Sequence, residues 1–243
     1  MVLGIVVVSG GVSIYLNVSG IVKEDEGEFV TFTTEDGVII AGTYYPGKTS
    51  GAVVLIHMLG RDMRDWNQFA SKLIIGGYTV LSIDLRGHGR SVEQDGKTIS
   101  WQTFVEEDYG NMVLDIRAAE DFLSGKGISR DRIALIGASI GANIALNYAA
   151  NHENIGTVVL LSPGLNYKEI KTEQAVEEFG ERAILLVAGS NDPGAAESAE
   201  TLHDIALGNK QIVIYNQAGH GTEILSQPEF AHLIIEWLRM HLS

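Results

Sequence analysis

The chain has 243 residues, 45% of them hydrophobic and 20% charged, a composition that folds rather than one that stays disordered. Its 17 Lys and Arg against 31 Asp and Glu leave a formal net charge of −14, which argues against a nucleic-acid surface, where cations must neutralise phosphates. With no cysteine, disulfides, thiolate nucleophiles and Cys-ligated metals are excluded.

Met1 to Val22 carries no charge, and Lys23 is the first basic residue. A secretory signal opens on a positive region, which is missing here. Val12, Ile14, Leu16 and Val18 alternate with Ser13, Tyr15, Asn17 and Ser19, and Ser9-Gly10-Gly11 makes a turn before them. Residues 1–28 are therefore expected to be an N-terminal β-extension, the alternative being the remnant of a signal or anchor segment. The compartment stays open on this ground, with the cytoplasm ahead of secretion or membrane anchoring. Membrane association is expected only if residues 1–22 are an anchor. An exposed hairpin there is also a candidate for edge-to-edge pairing in a homodimer.

From Phe29 the pattern is regular. Phe29–Thr34 and Val38–Tyr45 read as strands joined through Asp36-Gly37, a hairpin signal. Ala52–Ile56 is a short apolar run of the kind covered on both faces of a parallel sheet. Asp65–Ile75 has helical spacing and ends at Gly76-Gly77. Strand Tyr78–Ile83 follows, then a long helix over Trp101–Leu123, strand Arg132–Ile136, helix Ile140–Ala150 and strand Thr157–Leu161. The remainder reads as a short helix Glu169–Phe179, strand Ala183–Val187, helix Ala195–Ala206, strand Gln211–Tyr215 and a last helix Pro228–His241. Apolar strands alternating with helices predict an α/β fold: a mostly parallel central sheet with an antiparallel N-terminal hairpin and helices on both faces. One domain over residues 1–243 accommodates all of it.

The chemistry is expected at Gly137-Ala138-Ser139-Ile140-Gly141, between an apolar strand and an Ala-rich helix. A serine on a sharp strand-to-helix turn is held outward, and glycines two positions either side let strand and helix pack closely. The alternative, Ser139 as a plain helix N-cap, does not need that flanking pattern. A serine hydroxyl is a weak nucleophile that needs a base, and the base needs an orienting group. Asp192, after strand Ala183–Val187, and His220, after strand Gln211–Tyr215 and between two glycines, are the candidates. His57, His88, His152, His203, His232 and His241 are the rival bases, and Glu223 is the rival acid. No His-Glu-x-x-His or similar cluster appears, so no metal and no cofactor is expected. Asp84-Leu-Arg-Gly-His-Gly-Arg-Ser91 is read as a structural loop.

Together with His57-Met-Leu-Gly60, Gly189-Ser-Asn-Asp192 and Ala218-Gly-His-Gly221, these motifs resemble the α/β-hydrolase superfamily from about Phe29 onward. The nearer likeness is to small lidless carboxylesterases and the dienelactone-hydrolase-like branch. Dienelactone hydrolases usually have a cysteine nucleophile, which this chain lacks. The resemblance implies a serine esterase with catalytic Ser139, Asp192 and His220 and an oxyanion hole of the Ile140 and Leu59 N–H groups, Met58 being the alternative to Leu59. Met58 stands where the family usually has glycine. Only Pro163 to Arg182 lies where lids are inserted, so no separate cap domain and a small-molecule, short-chain ester substrate are expected. Met58, Leu165 and Tyr167 are the expected pocket walls. A peptidase or thioesterase on the same three residues is the rival enzyme, and a non-catalytic binding protein the rival of another class.

Overall fold

The structure, a computed structural model, describes residues 27–242. The N-terminal extension and its edge-to-edge pairing lie outside the described residues. In chain order the elements are β1 (Glu28–Thr33), β2 (Val38–Tyr45), β3 (Ala52–Ile56), α1 (Asn67–Ile75), β4 (Thr79–Ile83), β5 (Glu93–Gln94), β6 (Lys97–Thr98), α2 (Glu106–Gly110) and α3 (Val113–Gly125). They continue with β7 (Ile133–Ala138), α4 (Ile140–Ala150), β8 (Thr157–Leu161), β9 (Asn166–Tyr167), β10 (Ile170–Lys171), α5 (Glu173–Phe179), β11 (Ala183–Gly189), α6 (Pro193–Ile205), β12 (Lys210–Tyr215) and α7 (Phe230–His241).

The main sheet runs β12-β11-β8-β7-β3-β4-β2-β5-β6, with β1 paired to β2. From β12 to β4 every pairing is parallel, while β1, β2, β5 and β6 pair antiparallel, as the alternating pattern predicts. Side chains alternate across it. Val54 and Ile56 of β3 join a core covered by α3, α4, α5 and α6, whereas Val53 and Leu55 join one covered by α1 and α7. Both faces are apolar, so β3, β4, β7, β8 and β11 are buried end to end.

Three local expectations need correction. The long helix Trp101–Leu123 is a 3₁₀ turn at Trp101–Thr103, then α2, then α3. Phe104 is extended at ψ 140°, and Asp108 Oδ2 accepts the Val105 N–H at 2.8 Å, which starts a new helix. The helix expected from Glu169 begins only at Glu173, because Lys168 and Glu169 have φ of 54° and 65° and form the turn of the β9–β10 hairpin. No glycine marks that turn. The β5–β6 hairpin is also new, although Asp95-Gly96 at its tip is a standard signal for one.

The chain leaves β3 toward β4 and later returns on the other side of β3 to β7. In open α/β sheets such a reversal opens a crevice at the carboxyl ends of the two strands. The loop after β3 is His57–Gly60, and the turn after β7 is Ser139.

Candidate active site

Ser139 joins β7 directly to α4 with φ 55° and ψ −122°, a conformation that non-glycine residues adopt only when their surroundings force it. Those surroundings are the two glycines. A Cβ on Gly137 would fall on the backbone of Gly141, and one on Gly141 would lie 2.6 Å from both the Ile56 and His57 carbonyl oxygens. The Ser139 N–H donates to Leu161 O at 2.8 Å, and the Ser139 carbonyl accepts from the Ala142 N–H at 2.9 Å, so no side-chain N-cap is made. Only 8% of Ser139 is exposed. Ile140 is the first residue of α4, where an N–H has no acceptor within its own helix.

The loop after β3 is held by His57. Its Nε2 accepts the Leu85 N–H at 2.9 Å, which leaves the ring proton on Nδ1, donated to the Met58 carbonyl at 2.7 Å. Arg61 N–H reaches the same carbonyl at 3.1 Å. A trans peptide points its carbonyl and the following N–H in opposite directions, so the Leu59 N–H is turned away from these anchors. Burial drives the His57 pKa down to about 4, and both nitrogens are taken, so the ring is a neutral strut. Met58 projects toward the Gly221 position, where a Cβ would fall on its sulfur.

Asp192 ends the loop after β11 and precedes Pro193 at the first position of α6. Its Oδ2 lies 2.5 Å from His220 Nδ1, across 28 residues of chain. The two loops are tied by the Asn191 N–H to Ala218 O at 3.1 Å. The Gly221 N–H donates to Ser162 Oγ at 2.8 Å, which fixes the residue after His220 to the end of β8. Tyr167 stands among the three expected residues. Its phenol lies close enough to Ser139 for the two side chains to act on each other, its ring meets that of His220 edge-on with centroids 6.4 Å apart, and the charge of Asp192 acts on it. Burial first, then Asp192, hold its pKa above the ordinary tyrosine value. Leu165 is half-buried against the core beside it.

The rivals sit elsewhere. His88 is buried, stacked on Trp101 and donating from Nδ1 to Arg86 O at 2.9 Å. His152 stacks on Tyr148, His241 packs on Trp237, His203 sits by Asp204, and His232 is exposed on α7. Glu223 packs beside Gly219 on the turn after His220, while the bond to the imidazole comes from Asp192. The Asp84–Ser91 loop is structural, as expected. Asp84 accepts the Met63 and Arg90 N–H groups at 2.7 Å each, and Arg86 bridges Asp36 and Asp115. Among the described residues no group of three or more His, Asp or Glu is arranged to hold a metal ion.

Two residues escaped the sequence reading. Ser162, with φ 48°, braces the His220 loop, and nothing in its neighbourhood announces that. Asn143 is fully buried on α4. Its Nδ2 donates to Gly164 O at 2.9 Å and Ile170 O at 2.8 Å, and its Oδ1 accepts the Gly164 N–H at 3.1 Å. Thr172 Oγ1 adds a bond to Gly164 O at 2.8 Å. A polar residue on the otherwise apolar face of α4 was the available signal.

A mostly parallel sheet, a serine elbow at its switch point and helices on both faces define a serine hydrolase of the α/β-hydrolase fold. The chain belongs to the serine aminopeptidase S33 family, whose pattern matches residues 47–181. No curated protein matches it in sequence. Among solved structures it is similar to an esterase of Pyrococcus furiosus (21% identity, 90% of this chain and 93% of that one, TM-score 0.75). It is similar also to a dienelactone hydrolase of Anabaena variabilis (20%, 90% and 100%, TM-score 0.67). A monoacylglycerol lipase of Paleococcus ferrophilus gives 19% identity, 83% and 99% coverage, and a TM-score of 0.67. At these identities the likeness is one of fold.

Proposed function

We propose that this chain is a serine carboxylesterase that hydrolyses short-chain acyl esters through an acyl-enzyme on Ser139, with His220 as base and Asp192 orienting it. The observation that carries the reading is the 2.5 Å contact between His220 Nδ1 and Asp192 Oδ2, with the Tyr167 ring edge-on to the imidazole. With Nδ1 engaged by the carboxylate, Nε2 is the nitrogen left to take the serine proton. Ser139 Oγ then bonds to the ester carbon, and the carbonyl oxygen becomes an oxyanion on the Ile140 and Leu59 N–H groups. His220 returns the proton to the departing alcohol as the ester C–O bond breaks. Water, activated in the same way, then releases the acid.

Short substrates are favoured by what stands where lids are inserted. Pro163 to Arg182 makes one hairpin of two-residue strands and the seven-residue helix α5, and the hairpin brings Tyr167 to the side of His220. Among the described residues no helix is long and apolar enough to cross a membrane. The proposed substrate is a small-molecule ester, in keeping with the names of the esterase and lipase neighbours.

A fluorophosphonate should label Ser139 in the folded protein and leave Ser139→Ala unlabelled; labelling elsewhere, or none, ends the hydrolytic assignment of this serine. Acyl esters from acetyl to long chains, alongside thioesters and aminoacyl amides, then rank the substrate classes. A long-chain optimum contradicts the short-chain reading, and an amide preference replaces the esterase by a peptidase.

A further inference from the structure

The sheet order β8-β7-β3 divides the surroundings of Ser139. On the β3 side stand the loop of Met58 and Leu59 and its N–H groups, where an oxyanion would rest. On the other side stand Asp192 after β11, His220 after β12, and the β9–β10 hairpin that follows β8. In acyl transfer the leaving oxygen must face the base that protonates it, so it lies on the β8 side. Tyr167 occupies that side: its ring is edge-on to His220 with centroids 6.4 Å apart, and its phenol is near Ser139.

The placement is built. The ring lies over Gly164, where a Cβ would strike its carbons, and Gly164 is pinned to α4 from both its N–H and its carbonyl by Asn143. Asn143 also holds Ile170, the partner of Tyr167 across the hairpin. Burial and the nearby carboxylate keep the phenol protonated at neutral pH, so it has a proton to share.

Resting on the triad reading above, we propose that Tyr167 is a catalytic residue whose phenol donates a hydrogen bond to the leaving-group oxygen as the acyl-enzyme forms. The Ser139 Oγ–carbon bond forms and the carbon–leaving oxygen bond breaks. The proton that goes to the leaving oxygen comes from His220, and Tyr167 keeps its own. Negative charge on that oxygen is stabilised while the proton is in flight. The gain scales with the basicity of the leaving group: large for alkoxides, small for a nitrophenolate that leaves without help.

Tyr167→Phe removes the hydroxyl alone. On ethyl or butyl acetate its kcat/KM, which reports acylation, should fall about ten- to a hundredfold, as for loss of a hydrogen bond to a charged group. On p-nitrophenyl acetate the fall should be within about threefold, and across substituted phenyl acetates the variant's rates should decline more steeply with leaving-group pKa than those of the parent. Equal losses on alkyl and aryl esters make Tyr167 a pocket wall and overturn the proposal, as does no loss on either. Ser139→Ala run beside it separates the two layers. If Ser139→Ala abolishes both activities, the triad reading stands and Tyr167→Phe decides the leaving-group role. If Ser139→Ala retains them, both fall together.

Discussion

Asn143→Ala tests how the site is held. Asn143 is wholly buried, and its amide makes three hydrogen bonds to the segment between β8 and α5. After truncation Gly164 O keeps the Thr172 hydroxyl, but the Gly164 N–H loses the acceptor that Asn143 Oδ1 supplies. One orphaned buried donor costs about 1–3 kcal/mol, and the two lost donations add about 0.5–1.5 kcal/mol each. The sum is about 2–6 kcal/mol, or a fall of about 4–24 °C in Tm for a chain of this size. Asn143→Asp keeps an acceptor for Gly164 but sets a carboxylate against two carbonyls, so it should be no milder. Calorimetry and urea unfolding measure the loss, and kinetics on alkyl esters should fall with it because the hairpin carrying Tyr167 is loosened. A Tm shift under about 2 °C in both variants, with alkyl-ester turnover intact, would refute the claim that this amide anchors the segment.

Stability should drop in mild acid. His57 and His88 are buried with pKa values of about 4, below the unfolded value of 6.5. Their contribution is therefore complete above pH 6.5 and is lost as pH falls toward 4. Asp115, raised to about 6 mainly by burial, works in the opposite sense over part of that range. The net loss from pH 7 to 5 is about 2 kcal/mol by linkage; a urea midpoint that is flat or rising toward pH 5 contradicts it. Gly141→Ala should cost about 3 kcal/mol and lower the yield of soluble protein, because the atoms that its Cβ meets are backbone carbonyls that cannot swing aside. A normal Tm in that variant would show the elbow to be looser than its contacts indicate. His220→Ala should lose at least about a thousandfold in ester turnover while unfolding at the parent temperature; near-normal turnover removes it as the base.

Much of this was legible from the chain, and the reason is physical. Strands β3, β7, β8 and β11 are covered on both faces, so their apolar runs leave no ambiguity, and the Gly137–Gly141 motif is dictated by the approach of β7, α4 and β3. Asp192 and His220 stand alone on strand-end loops, where side chains have little packing to do. What escaped depends on distant partners. Lys168 and Glu169 turn with positive φ only because Asn143 and Thr172 pin the flanking chain. Trp101 to Leu123 has helical content throughout, and the break comes from Asp108 capping Val105. Asp95-Gly96 is a turn signal, but the strands that it joins are two residues each, too short to show an alternating pattern.

The anchoring of the segment between β8 and α5 bears on how this fold diversifies. An excursion held to α4 by the side chains of Asn143 and Asn147 is a unit that can be exchanged for a longer one while the sheet and the elbow stay in place. Exchange would carry Tyr167 away with it. A descendant that gained a lid there would gain a new acyl range and, by the same event, lose its aid to poor leaving groups, so breadth of substrate and ease with simple alkyl esters would be inherited as rivals.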